Sequence, residues 1–425
     1  MTATVPARPH STASLRRIAQ SVGTPAYVYD VADVRRAHAD LRTALPDRTT
    51  LYYSLKANPH PAVAGTLAGL GCRTEVASAG EVGSARAAGF ASGSILMTGP
   101  AKTGADLDAA LGNGIRRFSV DSPADLRRVG RYAQGYGVEV SCLIRVNADR
   151  AVPGMGLSMT GVASQFGADA SWLLAQPELF RPAGAARVDG LHLYMGTNIE
   201  DPDVLYRQFA TSVQLAGALR RALGGWLGEI DLGGGFGMPY ARRGDRPSYT
   251  AVGTRLEPLY DAELPGWRDG SVRLAFESGR YLAGGCGTLV SRVVDVKPSK
   301  GRTFVLLDTG INHLGGMSGL RRVPRIVPDL VPLSDPTGDG WMDDCVVAGP
   351  LCTPLDTWSQ GVRLPRLSPG DLVAVQNVGA YGLTASLLAF LGHPAPVEVV
   401  VDGDTVVAAS RLELTRVPVP AKEAT

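Results

Sequence analysis

The chain has 425 residues, 45% of them hydrophobic, and carries 42 Lys and Arg against 40 Asp and Glu, a net charge of +2. That length and apolar content fit about two globular domains with sizeable cores. The balanced charge leaves no broad field to draw in nucleic acid or an anionic membrane surface, and no apolar run reaches the roughly 18 residues needed to span a bilayer. Cys72, Cys142, Cys286, Cys345 and Cys352 are scattered, odd in number and never spaced as CxxC, which argues against a disulfide framework or a metal site and for a reducing cytoplasm.

Residues 1–22 contain no continuous apolar stretch and are expected to form a disordered tail. Residues 23–45 follow as an N-terminal segment whose YVYD, 27–30, reads as a strand that pairs partly with a later β domain. From about residue 46 to 281, short β-branched or apolar runs alternate with helical periodicity, the pattern of βα units around a parallel sheet. Strands are predicted at 50–54, 73–77, 94–98, 116–120, 138–146, 188–195, 228–233 and 271–277, which suits a TIM-type (β/α)8 barrel. The Gly-rich connection 147–170 reads equally as a lid or as a plain loop. Residues 282–425 change texture to strand-like runs joined by Gly, Pro and Asp turns, so a second, all-β domain of sandwich or barrel type is expected.

Barrel chemistry gathers at the C-terminal ends of the strands. LYYSLKAN places Lys56 just past the first strand, DLGGGFG places Gly233, Gly234 and Gly235 after the seventh, and Glu277 closes the eighth, which neighbours the first when a barrel closes. A desolvated lysine amine, bare backbone N–H groups for a phosphate and a carboxylate for a ring nitrogen suit pyridoxal 5'-phosphate. Other barrels use the same parts. Taken singly, the lysine reads as a solvated loop residue, the glycines as a tight turn, and Glu277 with Arg280 as a structural ion pair; their coincidence at strand ends one, seven and eight argues against that.

The motifs TPAYVYD, YSLKAN, EVASAGE, GLHLYMGT, DLGGGFG, ESGRYL, LDTGINHL, GPLCTPLD and VGAYGLTAS, in that order, resemble the alanine-racemase-like pyridoxal phosphate decarboxylases, the group of diaminopimelate and ornithine decarboxylases. The resemblance implies that Lys56 is the Schiff-base lysine, that Gly233, Gly234, Gly235, Arg280 and Tyr381 contact the phosphate, that Gly279 lines the cofactor and that Glu277 bonds the pyridine nitrogen. It places Thr197 as a polar cofactor contact and Glu75 and Glu81 near the lysine. Cys352 matches a cysteine that reprotonates the product carbanion and is supplied by the other subunit of a homodimer, with Thr353, Asp356, Tyr381 and Arg321 around the substrate.

Departures from the family's pattern bear first on the cofactor ring and then on the substrate, where the Arg-Pro segment with which diaminopimelate decarboxylases hold substrate carboxylate also has no match in NHLGGMSGLRR. The family's ring-stacking histidine falls at Tyr194, with His192 two residues earlier on the same strand face and open to either a core or a site role. The position after Cys352, acidic in the diaminopimelate and ornithine enzymes, is Thr353, so the distal ammonium of a diamino acid loses its carboxylate partner. The resemblance therefore implies an α-decarboxylase other than these two, similar to a secondary-metabolism branch that includes decarboxylases of carrier-protein-bound glutamyl groups. Arg321 and Arg322 then face either an acidic substrate portion or a phosphopantetheine arm, or simply solvent. The competing expectations are a racemase using the same cofactor and a cofactor-binding protein that has lost catalysis.

Overall fold

The computed structural model describes residues 4–5, 10–149, 157–158, 161–225, 227–315, 327–333 and 340–419. The chain divides into two compact units: residues 1–8 with 30–287, and residues 9–29 with 288–425.

In the first unit all eight expected strands form. They are β1 (Thr50–Ser54), β2 (Arg73–Val76), β3 (Ile95–Met97), β4 (Arg117–Val120), β5 (Val140–Asn147), β6 (Ala186–Leu193), β7 (Glu229–Asp231) and β8 (Arg273–Ser278). Each pairs in parallel with the next in space; β8 pairs with β1, and β5 with β6, so the sheet closes into a TIM-type barrel. Strands in such a barrel are buried on both faces, which is why they read as apolar runs. Inside the barrel Tyr52, Leu96, Leu143 and Ala275 pack as one buried cluster.

The helices start where side chains cap them. Ser78 accepts from the Glu81 N–H, Thr103 and Asp106 form a reciprocal capping box, and Ser122 accepts from Asp125 N–H ahead of Pro123. The helix Val31–Ala44 also belongs to this unit. Its Asp33 and Asp40 bind the fully buried Arg246 guanidinium at 2.7 and 3.3 Å.

The second unit is a mainly-sheet domain. The strand Ala26–Asp30 lies between β9 (Gly287–Ser299) and β13 (Val397–Asp402) in a sheet that continues through β10 (Arg302–Leu307), β11 (Trp341–Ala348) and β12 (Thr357–Pro365) on one side. Within the expected tail, residues 12–22 are helical. The helix Thr12–Val22 is capped by Ser11 and buries Leu15, Ile18 and Ala19 against Val28, Val290 and Val399. Their spacing makes one apolar helix face, which orders the segment once a sheet face covers it. Among the described residues no helix is long and apolar enough to cross a membrane.

Candidate active site

The first strand ends in a short 3-10 turn, Leu55–Ala57, and this turn presents Lys56. Gly279 makes the placement possible. A Cβ there would lie 2.7 Å from Ala57 Cβ and 3.0 Å from Ser54 Cβ, so only glycine lets the end of β8 approach the turn this closely. Lys56 Nζ reaches Glu75 Oε1 at 2.6 Å, and Thr98 donates to the other Glu75 oxygen at 3.3 Å. Burial works to raise the Glu75 pKa, but the Lys56 ammonium and its hydrogen bond, with a further one from Ser54, win and hold it down to about 2. Glu81 is spent locally, accepting from the Ala77 N–H at 2.7 Å, and its pKa is raised by burial.

A depressed carboxylate pKa contributes stability that is present above the unfolded value, 4.5, and is lost as pH falls through the folded value of about 2. The difference in melting temperature between wild type and Glu75→Gln is therefore expected to be constant at neutral pH and to shrink between these two values. Calorimetric scans across acid pH check it; a difference that grows on acidification contradicts the pairing.

The glycine run after β7 is a backbone cradle. Gly233 has φ 70° and a Cβ on it would meet Leu193 O; one on Gly234 would lie 2.7 Å from the Glu277 carbonyl oxygen, and one on Gly235, at φ 119°, 2.7 Å from Gln208 Nε2. The Tyr194 ring lies against this run, 3.1 Å from the position of a Gly233 Cβ, with the Arg145 guanidinium 5.8 Å from its centroid. Thr197 pairs with Leu157 in a two-stranded ladder after β6. Arg280 opens the short helix after β8 and stacks over the Tyr240 ring at 5.1 Å. Burial, more than Arg280 relieves, pushes the Tyr240 hydroxyl up, so it stays protonated.

Glu277 is buried in the same barrel, with Oε1 3.3 Å from His192 Nε2 but not aligned for a hydrogen bond. His192 Nδ1 lies 2.8 Å from Ser119 Oγ. Burial lowers the imidazole pKa, yet the Glu277 charge raises it more, and the net shift is upward. Asp231, one turn residue before the glycines, accepts from Gly233 N–H at 2.9 Å; burial and then the Glu277 charge push its pKa up to about 8.

So the barrel brings together Lys56, Glu75, Tyr194, the three glycines, Glu277, Gly279 and Arg280. The set suits pyridoxal phosphate: an amine held in a turn, a glycine run packed too closely against its neighbours to carry side chains, and a buried carboxylate with an oxygen that makes no hydrogen bond among the described residues. Sequence reasoning passed over Arg145, inside β5, and Asp231, the last residue of β7, although Asp231 opens the DLGGGFG motif.

Cys352, Thr353, Asp356 and Tyr381 lie in the second unit. Cys352 is exposed, and Tyr381 holds a left-handed backbone at φ 54°. Asp356 does not serve as a substrate carboxylate. It is 2% exposed, and its two oxygens accept from the Ile311 and Leu351 N–H groups, each at 2.8 Å. Gly310 and Gly349 close over it, leaving no room for even a Cβ. Asp356→Ala is expected to cost about 3 kcal/mol by orphaning two buried donors, read as a lower denaturant midpoint; a change within error would return Asp356 to the substrate side. Arg321 and Arg322, and residues 150–156 and 159–160 of the loop, lie outside the described residues.

Residues 31–284 match the pyridoxal binding domain of the pyridoxal-dependent decarboxylases. The chain is 33% identical over 389 residues to the L-glutamyl-[BtrI acyl-carrier protein] decarboxylase of Niallia circulans, covering 91% of each. It is 29% identical to the diaminopimelate decarboxylase of Zymomonas mobilis, over 92% of this chain and 90% of that one. The crystal structure of the Helicobacter pylori diaminopimelate decarboxylase complexed with L-lysine superposes with a TM-score of 0.79 at 25% identity, covering 92% of this chain and 95% of that one. With the lysine turn, glycine cradle and buried carboxylate in place, the chain belongs to the pyridoxal-dependent decarboxylase family and is a pyridoxal phosphate-dependent carboxy-lyase.

Proposed function

We propose that this enzyme removes the α-carboxylate of a glutamyl-type substrate tethered to a carrier protein, and that it works as a homodimer. The observation that carries the substrate reading is the state of the GPLCTPLD loop. Asp356 is enclosed, with both oxygens taken by backbone N–H groups, and the residue after Cys352 is Thr353, whose hydroxyl accepts from Leu355 N–H at 3.3 Å. The loop thus offers no carboxylate for the distal ammonium of lysine-like or ornithine-like substrates. A substrate whose distal carboxyl is a thioester needs none. The Niallia circulans relative, named for a carrier-protein-bound glutamyl group, supports the same reading.

When bound, pyridoxal phosphate supplies an electron-withdrawing ring that accepts the electron pair left by carbon dioxide. Lys56 would be the amine that holds the cofactor, and in the free chain Glu75 fixes its Nζ at 2.6 Å. Gly233, Gly234, Gly235, Arg280 and Tyr381 would hold the phosphate, Gly279 and Thr197 would line the cofactor, Tyr194 would stack on its ring and Glu277 would keep the ring nitrogen protonated. Cys352 of the second copy returns the proton to the α-carbon. Its exposure on the isolated chain accords with a side chain that meets another subunit.

Gas evolution from a glutamyl thioester of a carrier protein, from free glutamate, and from lysine, ornithine and diaminopimelate separates the substrates. The thioester is expected to have the largest kcat/KM; turnover of a free diamino acid at a higher value overturns the reading. Mixing inactive Lys56→Ala and Cys352→Ala chains is expected to restore partial activity, because one of the hybrid's sites is intact. Recovery of none, with heterodimers verified by mass, places both residues in one chain's site.

A further inference from the structure

Strand register converges three titratable side chains that the roles above do not fully use. His192 on β6 sits directly opposite Asp231 on β7, and Asp231 is opposite Ala275, two residues and one face before Glu277 on β8. Their nearest ligand-type atoms all lie within 4.8 Å of one another. Two of the three are also held from behind: His192 Nδ1 by Ser119 Oγ at 2.8 Å, and Asp231 Oδ1 by the Gly233 N–H at 2.9 Å. That leaves His192 Nε2, Asp231 Oδ2 and Glu277 Oε1, all buried and with no hydrogen-bond partner among the described residues, aimed at one another. Orphaned polar atoms in a barrel interior are costly unless they exchange protons or hydrogen bonds locally.

We propose that His192 and Asp231 are positioning residues for Glu277, forming with it a closed buried relay that fixes its carboxylate toward the cofactor ring nitrogen. The proposal rests on the cofactor-binding role of the barrel. Burial and Glu277 keep Asp231 protonated below about 8, and the Glu277 charge outweighs burial in raising His192. The other groups facing it are Arg145 on β5, which lowers the His192 pKa, Glu75 on β2, whose own pKa His192 lowers, and Glu229 at the start of β7, which raises that of Asp231.

Two measurements test this. In the wild-type apo-enzyme, the His192 imidazole NMR signal, assigned by its disappearance in His192→Gln, is expected to titrate above 6.5 and to move down in Glu277→Gln. In the loaded enzyme, His192→Ala and Asp231→Ala are expected to weaken cofactor binding about 10- to 100-fold, the loss of a hydrogen bond to a charged group. Asp231→Asn mimics the protonated acid, so it is expected to rescue binding while abolishing any alkaline transition of the cofactor absorbance near 8. A purely structural role would lower the melting temperature without touching that transition. The proposal is overturned by an imidazole titration indifferent to Glu277→Gln, by alanine variants with wild-type affinity and pH profile, or by a stoichiometric divalent ion retained by the apo-enzyme and lost in Asp231→Ala. Wild-type protein that binds no pyridoxal phosphate would instead refute the cofactor assignment and leave the apo-enzyme titration standing.

Discussion

Lys56→Ala is expected to lower kcat on the order of 10^4-fold, the upper end of what one positioned acid–base group contributes, while leaving the fold intact. The fold prediction follows from exposure. The Lys56 side chain is 48% exposed and its ammonium meets Glu75 at the barrel mouth, so truncation opens no core cavity. The cofactor should still bind, through the glycine cradle after β7 and through Glu277, but without a covalent tether. Borohydride reduction followed by intact-mass measurement separates these contributions: wild type should gain the cofactor mass and Lys56→Ala should not. Truncation also strands the buried Glu75 carboxylate, whose low pKa depends on the ammonium. Without that partner, burial raises the Glu75 pKa, so the double variant Lys56→Ala, Glu75→Gln is expected to melt higher than Lys56→Ala alone. A reduced, cofactor-bearing Lys56→Ala chain would show that another amine carries the tether.

The parts of this fold legible from sequence are those whose signal is local. All eight barrel strands read correctly because each is buried on both faces and bounded by Gly or by a helix cap such as Ser78, Thr103 or Ser122. The helix Thr12–Val22 was missed although Leu15, Ile18 and Ala19 mark one apolar face, because the sheet residues Val28, Val290 and Val399 that cover that face are mostly remote in sequence. The same distinction runs through the site. Lys56, Gly233 to Gly235 and Glu277 stand at strand ends within short motifs, where strand position alone implies the barrel mouth. Asp356 also stands in a motif, yet its fate is decided by Ile311, 45 residues away in sequence, whose N–H takes one of its oxygens. A motif reveals that a carboxylate is present and not which donors consume it. Asp231 and His192 are the converse case: the motifs that contain them leave their roles open, and only the register of β6, β7 and β8 brings them together with Glu277.

Glu277→Gln is expected to lower kcat on the order of 10^2- to 10^3-fold, the usual cost of removing one preorganised electrostatic contact to developing charge, with a smaller effect on cofactor affinity. Glutamine preserves the volume, so Gly234, whose Cβ position is 2.7 Å from the Glu277 carbonyl oxygen, keeps its geometry and the phosphate cradle survives. What disappears is the negative charge proposed to face the ring nitrogen, which would support the ring's capacity to withdraw electrons. The substitution also removes the group that holds the His192 pKa up. A raised imidazole pKa contributes stability that is fully present below the unfolded value of 6.5 and is lost as pH rises through the folded value. The stability deficit of apo Glu277→Gln should accordingly be largest at mildly acidic pH and narrow as the solution becomes alkaline, which denaturant titrations at several pH values would record. A deficit independent of pH, together with unchanged kcat, would mean that Glu277 neither faces the ring nor charges His192, and that the electron demand of the reaction is met by another group in the barrel.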